Sequence, residues 1–413
     1  MIFPVEHPLT ENYRSARFSG VTSLPGLIDM AKRHPVQNTL APLLLPLSKL
    51  YGAGMAVRRK AYATGRLPAY RTPIPCISVG NISWGGTGKT PLIQWLLGWA
   101  AAGGLRAGVL TRGYGAHPQS PPLLVKPDTP VAECGDEALM LATLLPEAAI
   151  IVDPKRSRGA CLAESLRPAP DLLLLDDGFQ HMGLARDVNL VLLDNDDLWD
   201  DPGPKSRDNP GKKGNWNRVI PAGSWREPVT ALAAADAFLV KVAPSDQALL
   251  RDRLAEKLAG FGKPVFPFQL RIRGLRRLTD DFGGLGPESV EGDYALLCAV
   301  GNPRQVEESA VAFLGRAPVR RVFLPDHHPL SGEFALQDGL NIPVICTAKD
   351  AAKLRGPTRQ NFFVLEAQPE FSLATDGQSF VTWLKSALSP YLAKKFDLQD
   401  QPSGFKAKSV IQP

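Results

Sequence analysis

The chain has 413 residues, of which 44% are hydrophobic and 21% are charged. This balance is ordinary for a soluble globular chain, and it excludes disorder as the main state, which requires few apolar residues and a high net charge. The formal charge of +6 suits phosphates, nucleic acid or an anionic membrane surface without choosing among them.

The cysteines indicate a reducing compartment. There are five, and no two are spaced as a C-x-x-C pair, so neither a disulfide framework nor a zinc knuckle is expected. No run reaches the ~18 apolar residues of a membrane span. The opening MIFPVEHPLTENYRS lacks the basic and apolar regions of a secretory signal. We therefore expect a cytoplasmic protein.

The N-terminal part divides in two. Residues 1–37 predict an irregular extension, and 38–60 predict a helix, because apolar residues recur at spacings of three and four. They are Leu43, Leu44, Leu47, Leu50, Tyr51 and Met55, and Arg58, Arg59 and Lys60 follow. The helix could lie on a membrane surface or pack on the protein's own core. Periodicity alone favours the core.

Short apolar runs alternate with helical segments through 61–228, which we take as one domain. The predicted strands are 74–79, 107–110, 148–152, 172–175 and 188–193, and the first helix is 90–102. This alternation predicts an α/β fold, with a parallel sheet covered by helices on both faces.

A smaller α/β domain is predicted over 229–393. Its expected strands are 238–242, 294–300, 319–324, 344–347 and 362–365. Before it, 195–217 is rich in Asp, Pro, Gly, Asn and Lys and predicts a long surface loop. An insertion without a role is favoured there over a lid. Residues 394–413 predict a polar tail.

The strongest motif is VGNISWGGTGKTP at 79–91, which follows a strand and opens a helix, as a P-loop does. Gly85, Gly86 and Gly88 let backbone N–H groups turn toward an anion, and the helix N-terminus adds a partial positive charge. Lys89 can reach the β- and γ-phosphates of a nucleotide. The expected nucleotide-binding residues are Ser83, Gly85, Gly86, Thr87, Gly88, Lys89 and Thr90. Ser83 stands where the strict P-loop pattern has its first Gly.

Carboxylates follow two other elements. Asp176 and Asp177 end the apolar strand 172–175, which is typical of a Walker B magnesium site, although Asp is also common in turns. Asp136 lies in a loop between strands, at the sheet edge where ligands bind. It could accept a proton from an attacking hydroxyl or cap the helix that follows, and its position fits both equally.

Basic and imidazole side chains follow further strands. Arg156 and Arg226 could stabilise charge on a transferred phosphoryl group, although spacing alone favours surface ion pairs. Asp326, His327 and His328 could form a base, a metal site or an ordinary turn.

Together these motifs resemble the tetraacyldisaccharide 4′-kinases, the lipid A kinases of Gram-negative bacteria. The match runs from about 40 to 365. Its segments are PLSKLY at 46–51, SVGNISWGGTGKTP at 78–91, TRGYG at 111–115, GDEALMLA at 135–142, LDDGFQH at 175–181, LARDVNLVLLD at 184–194, IPAGSWREP at 220–228, AVGNP at 299–303, PDHH at 325–328 and TAKDAAKL at 347–354. LDDGFQH together with the unusual P-loop is close to diagnostic of the family.

The resemblance implies phosphorylation of the 4′-hydroxyl of tetraacyldisaccharide 1-phosphate with ATP and Mg²⁺, by a P-loop domain and a smaller α/β domain that enclose the nucleotide. It implies a monomer on the cytoplasmic side of the inner membrane, peripheral or shallowly anchored, with no nucleic acid partner. It also shifts the interpretation of 38–60 toward a membrane-surface helix.

The resemblance also assigns roles to residues. The implied catalytic residues are Asp136 as base, His327 as its partner with His328 as second choice, Lys89, Arg156 and Arg226. Gln180 and Glu227 join the nucleotide-binding set, and the implied metal set is Thr90, Glu137, Asp176 and Asp177.

The chain departs from the family pattern in three places. Ala348 replaces the Glu of the usual Thr-Glu-Lys-Asp, Met182 and Gly183 replace basic residues, and the loop 195–217 is longer. The rival hypothesis is a P-loop regulatory ATPase or switch, but the guanine-reading pattern is missing because Lys349 stands one place too late. Lipid-dependent ADP formation separates the two hypotheses.

Overall fold

The structure is a computed structural model. It describes residues 35–83, 87–194, 198, 216–242, 247–279, 283–326, 328, 330, 342–354 and 361–392. Predictions for 1–34, Gly85, Gly86, most of 195–217, His327 and 394–413 fall outside these ranges.

The described residues form nine α-helices and twelve strands. The strands are β1 (Cys76–Asn81), β2 (Ala107–Thr111), β3 (Leu123–Val125), β4 (Ala149–Val152), β5 (Leu172–Asp176), β6 (Val188–Asp194), β7 (Ala237–Lys241), β8 (Val265–Arg277), β9 (Ala295–Cys298), β10 (Arg320–Phe323), β11 (Val344–Thr347) and β12 (Phe362–Phe371). The helices are α1 (Pro35–Ala63), α2 (Lys89–Ala102), α3 (Val131–Cys134), α4 (Asp136–Leu144), α5 (Arg156–Ser165), α6 (Gln247–Leu258), α7 (Pro303–Leu314), α8 (Ala348–Ala351) and α9 (Phe380–Leu392).

All twelve strands belong to one sheet in the order β10-β9-β11-β12-β8-β7-β6-β1-β5-β2-β4-β3. Neighbours are parallel except for the antiparallel pairs β8–β12 and β3–β4. The predicted α/β fold is therefore confirmed. The edge strand β3 and the long strand β8 were not predicted.

Helices bury both faces of the sheet, which explains why its central strands are continuous apolar runs. Every residue of β1 and β2 is buried. On one face α2 and α9 pack together through Leu92, Leu96, Phe380 and Leu384. The other face is covered at α5 by small residues such as Ala160.

The sheet continues through the predicted boundary between 228 and 229. Strand β7 lies beyond that boundary and pairs in parallel with β6 of the first half, starting at Leu190 opposite Ala237. Helix α9 also returns to the core that contains α2. The two halves therefore share one sheet, and the domain boundaries stay predictions.

Helix α1 is longer than the predicted 38–60 and has two different faces. On one face Ser48 is buried, and its hydroxyl accepts a hydrogen bond of 2.9 Å from the Ala222 N–H. Leu43, Leu50 and Val57 on another face are 78%, 71% and 70% exposed. In the part of the chain that the structure describes, no helix is long and apolar enough to cross a membrane.

Candidate active site

The phosphate-loop segment joins the end of β1 to α2 at the carboxyl edge of the sheet. Gly88 immediately precedes α2 with a φ of 87°, a left-handed conformation that favours glycine. Asn81 and Thr87 are buried, and the Asn81 amide donates to the Thr87 hydroxyl over 3.2 Å. Ser83 is fully buried and forms a β-bridge with Trp225. Lys89 and Thr90 therefore begin a helix whose N–H groups suit an anion.

Strand β5 lies beside β1, with Asp176 level with Val79, and this register brings the next residue, Asp177, to Lys89. The Lys89 ammonium lies 3.4 Å from one Asp177 oxygen, and the Arg226 guanidinium lies 2.8 Å from the other. Burial acts to raise the pKa of Asp177, but the two cations outweigh it and lower that pKa to about 2. Asp177 is therefore an ionised partner of both cations.

Asp176 has a different environment. Its carboxylate accepts a 2.8 Å hydrogen bond from the Thr111 hydroxyl. Burial, followed by the charge of Glu137, raises its pKa to about 6. Asp176 and Glu137 thus present their carboxylates to one region, close enough to influence each other.

These two carboxylates fit a magnesium ion. Magnesium in kinase sites is commonly held by one or two carboxylates together with phosphates and water. Asp176, Glu137 and the Thr90 hydroxyl supply hard oxygen donors of this kind. No group of three or more His, Cys, Asp or Glu side chains within the described ranges is arranged to hold a metal by itself. Asp177 is engaged by cations, so Asp176 is the better candidate of the predicted pair.

Asp136 begins α4 and is only 5% exposed. One carboxylate oxygen accepts a 3.0 Å hydrogen bond from the Glu137 N–H. The other lies 3.7 Å from the ammonium groups of both Lys349 and Lys353. Gly135 is the N-cap of α4, and no side chain caps that end of the helix. The helix-capping interpretation of Asp136 is therefore wrong, and its second oxygen faces cations from the other half of the chain.

Lys349 and Lys353 were missed as site residues. Lys349 also lies 3.4 Å from a Glu137 oxygen and 3.0 Å from an Asp326 oxygen. Burial acts to lower its pKa, but Glu137, Asp136 and Asp326 outweigh burial and raise the pKa. A resemblance segment, TAKDAAKL, contains both lysines, but no local pattern indicates that they meet a residue more than 200 positions earlier.

The Asp326 segment reaches the same cluster. The Lys353 ammonium donates to the His328 carbonyl over 3.1 Å and lies 3.4 Å from the buried Asp350 carboxylate. His327 lies outside the described residues, so its contact with Asp136 stays a prediction.

The other predicted residues lie at different depths. Arg226 is held at the phosphate-loop edge by Asp177 and by the Gln180 side-chain oxygen at 3.2 Å. Arg156 is buried, and its guanidinium donates to the backbone carbonyls of Asp153 and Asp176. Arg226 therefore contacts the Walker B carboxylate Asp177 directly. Arg156 donates to backbone carbonyls instead, and its phosphate contact stays a prediction.

Glu227 is fully buried behind the loop, and its two oxygens accept hydrogen bonds from Arg59 of α1, both of 2.7 Å. The nucleotide contact of Glu227 stays a prediction. Sequence reasoning missed Arg59 as a partner, because it assigned that residue to the basic end of a surface helix.

The sequence model of the tetraacyldisaccharide-1-P 4′-kinase family matches residues 40–389. The chain belongs to this family. The resemblance drawn from the motifs is thereby confirmed.

Curated relatives carry the same family name. A tetraacyldisaccharide 4′-kinase of Nitratidesulfovibrio vulgaris is 45% identical over 345 residues, which are 82% of this chain and 91% of that protein. The one from Pseudomonas paraeruginosa is 35% identical over 356 residues, or 85% and 94% of the two chains. Most of both kinases therefore has a counterpart here.

A solved structure extends the similarity to the fold. The crystal structure of LpxK from Aquifex aeolicus in complex with ATP matches with a TM-score of 0.66 and 28% identity. The match covers 85% of this chain and 99% of that one. The α/β fold described above is therefore that of a 4′-kinase known to bind ATP.

Proposed function

We propose that this chain transfers the γ-phosphoryl group of ATP to the 4′-hydroxyl of tetraacyldisaccharide 1-phosphate, a step of lipid A biosynthesis. The observation that carries the proposal is the meeting of three sets of groups at one sheet edge. Lys89 and Arg226 bring positive charge, Asp176 and Glu137 bring oxygen donors, and Asp136 brings a proton acceptor. Phosphoryl transfer needs little more than this combination of positioning and charge neutralisation.

Each residue has a distinct task in this reaction. Lys89 and Arg226 neutralise charge on the phosphates, and Asp177 holds both cations in place. Asp136 accepts the proton of the sugar hydroxyl as general base. The ammonium groups of Lys349 and Lys353 beside it favour the carboxylate form that can take a proton.

Asp176, Glu137 and Thr90 are the residues that would hold magnesium. A magnesium ion held by these residues would offset the negative charge of the nucleotide phosphates. Asp176 and Glu137 bring two carboxylates close enough for the charge of Glu137 to act on Asp176, and this pairing of oxygen donors supports the assignment.

Helix α1 supports a site of action on a lipid surface. Leu43, Leu47, Leu50 and Val57 follow at spacings of four, three and seven, which place them on one helical face, and all four are exposed. Lys49 and Lys60 on the same helix are also exposed. An apolar stripe with lysines nearby suits the interface of an anionic membrane. We infer a monomeric, peripheral enzyme on the cytoplasmic face of the inner membrane.

ADP release from ATP tests the proposal. It should be measured with Mg²⁺, with and without tetraacyldisaccharide 1-phosphate in detergent, for wild type and Asp136→Asn. We expect release that requires the lipid and falls by roughly 10²- to 10⁴-fold in the variant, the usual range for a general base. Release that is indifferent to the lipid would favour the regulatory ATPase instead.

A further inference from the structure

The turn after the Walker B carboxylates is held by arginines. Residues 178–181 lie outside the sheet, and each of their four carbonyl oxygens accepts a hydrogen bond from a guanidinium. The bonds are Arg186 to Gly178 at 3.0 Å, Arg59 to Phe179 at 3.1 Å, Arg58 to Gln180 at 3.3 Å and Arg186 to His181 at 2.9 Å. Two of these three arginines belong to α1, so the helix with the exposed apolar stripe also holds the Walker B turn.

Arg59 makes the stronger contacts of the two. Its guanidinium forms a two-pronged pair with the fully buried Glu227 carboxylate, with both bonds at 2.7 Å. It also lies over the Phe179 ring, 4.4 Å from the centroid. A planar guanidinium suits such a pair and such stacking at once, whereas a lysine ammonium cannot reproduce the two parallel bonds.

These contacts lie directly behind groups that face the phosphate loop. Glu227 is the chain neighbour of Arg226, whose N–H donates to the Ile82 carbonyl over 2.7 Å. Phe179 is the neighbour of Gln180, whose amide donates to the Asn81 carbonyl over 3.0 Å. The side chains of Arg226 and Gln180 meet at 3.2 Å. Arg59 thus holds Glu227 and Phe179, which are the chain neighbours of Arg226 and Gln180.

Asp177, which starts the turn, needs such support. Its φ of 48° is a left-handed conformation that a residue other than glycine adopts only at an energetic cost. A turn with this backbone keeps its shape when the surrounding contacts hold it. The contact of Asp177 with Lys89 and Arg226 depends on that shape.

We propose that Arg59 is a positioning residue for phosphoryl transfer, and that its contacts with Glu227 and Phe179 make α1 part of the catalytic centre. The proposal rests on the proposed function for its kinetic consequence. The exposed leucines of α1 meet the lipid surface, and Arg59 on another face of the same helix orders the groups that bind phosphate. Releasing this contact leaves nucleotide binding possible and slows the transfer.

Arg59→Lys and Arg59→Ala in the full chain test the proposal, with Arg66→Lys and Arg66→Ala as matched controls. Arg66 lies just beyond α1 and is exposed, so the control makes the same chemical changes away from the site. We expect kcat to fall roughly 10- to 100-fold in both Arg59 variants, because small displacements of catalytic groups have effects of that size. The KM for the lipid should stay within about twofold, and both Arg66 variants should match wild type.

Two further measurements distinguish a positioning role of Arg59 from a purely structural one. One is the number of ADP-binding sites per chain, and the other is hydrogen exchange of the peptide covering 172–184. We expect Arg59→Lys to keep all its ADP sites while residues 177–181 exchange faster. A wild-type kcat in Arg59→Lys, or a lower kcat matched by an equal loss of ADP sites, would overturn the proposal.

Failure of the proposed function would look different. If wild type showed no lipid-dependent ADP release, the kinase assignment would fail. Hydrogen exchange and ADP affinity of Arg59→Lys against Arg66→Lys would still decide the positioning role.

Discussion

Replacing Lys349 by methionine should destabilise the protein, because this ammonium joins three carboxylates. It lies 3.0 Å from an Asp326 oxygen, 3.4 Å from a Glu137 oxygen and 3.7 Å from an Asp136 oxygen. The Lys349 side chain is 14% exposed, and those of Asp326 and Glu137 are 41% and 39% exposed. Without the ammonium, Asp326 and Glu137 lose this contact, whereas Asp136 keeps the Lys353 ammonium at 3.7 Å.

The size of the effect follows from burial. Removing one partner of a fully buried ion pair costs about 3–5 kcal/mol, whereas an exposed pair contributes about 1 kcal/mol or less. Since two of the three carboxylates are partly exposed and Lys353 still lies beside Asp136, we expect a loss of about 2 kcal/mol. In a chain of 413 residues that lowers the thermal midpoint by about 2 °C.

The assay is thermal unfolding in detergent at pH 7.5, with Lys126→Met as control, since Lys126 is exposed. Lys349→Arg should recover most of the loss because it keeps the charge. The sign of the pH dependence follows from the raised Lys349 pKa. Its stabilising contribution is complete below the unfolded-state pKa near 10.5 and is lost as the pH rises through the folded-state value. Equal midpoints for Lys349→Met and Lys126→Met would refute this account of the cluster.

Three other predictions concern separate features. Asp176→Asn should stabilise the protein free of Mg²⁺ by up to about 3 kcal/mol above pH 6 and by nothing near pH 4, because the Asp176 pKa is raised to about 6. Thermal midpoints measured at both pH values check this, and an equal gain in stability at both would contradict it. Leu50→Glu should reduce the fraction of protein that co-sediments with phosphatidylglycerol vesicles. Leu373→Glu, which changes an exposed leucine outside α1, should not. Gly135→Ala should lose about 1–2 kcal/mol more stability than Gly104→Ala, measured by thermal unfolding: both have a positive φ, but only Gly135 has a backbone oxygen 3.0 Å from the added carbon.

The sequence predicted most strands of the first half to within one or two residues. Buried parallel strands are short apolar runs, and β5 is four leucines and an aspartate. Strand β8 was not predicted because arginines alternate with apolar residues in its second half. Those arginines are neutralised across the sheet, where Arg271 and Arg273 meet Glu370 and Arg276 meets Glu366. That compensation comes from a distant segment and is invisible in β8 alone.

The site residues divide in the same way, into those that a local motif reveals and those that depend on contacts with distant segments. Lys89 and Asp176 belong to short motifs whose spacing indicates their chemistry, whereas the role of Asp136 was assigned by the family resemblance because its position alone left it open. No such spacing indicates the roles of Lys349 and Arg59, because their contacts join residues far apart in the chain. The Lys349–Glu137 contact spans 212 positions, and the Arg59–Glu227 contact spans 168. Such partners depend on how the sheet brings its ends together, which a motif does not encode.

The return of α9 to the first core has a consequence for synthesis. Trp95 of α2 packs against Phe371 and Phe380, with ring centroids 5.2 and 5.7 Å away, and Leu384 and Leu388 complete the same cluster. The phosphate-binding half is translated early, but this part of its core is incomplete until residues 371–388 leave the ribosome. Until then the apolar face of α2 stays open to chaperones or to aggregation. A chain stopped before residue 380 would carry every nucleotide-binding motif but would lack the part of the core that α9 supplies.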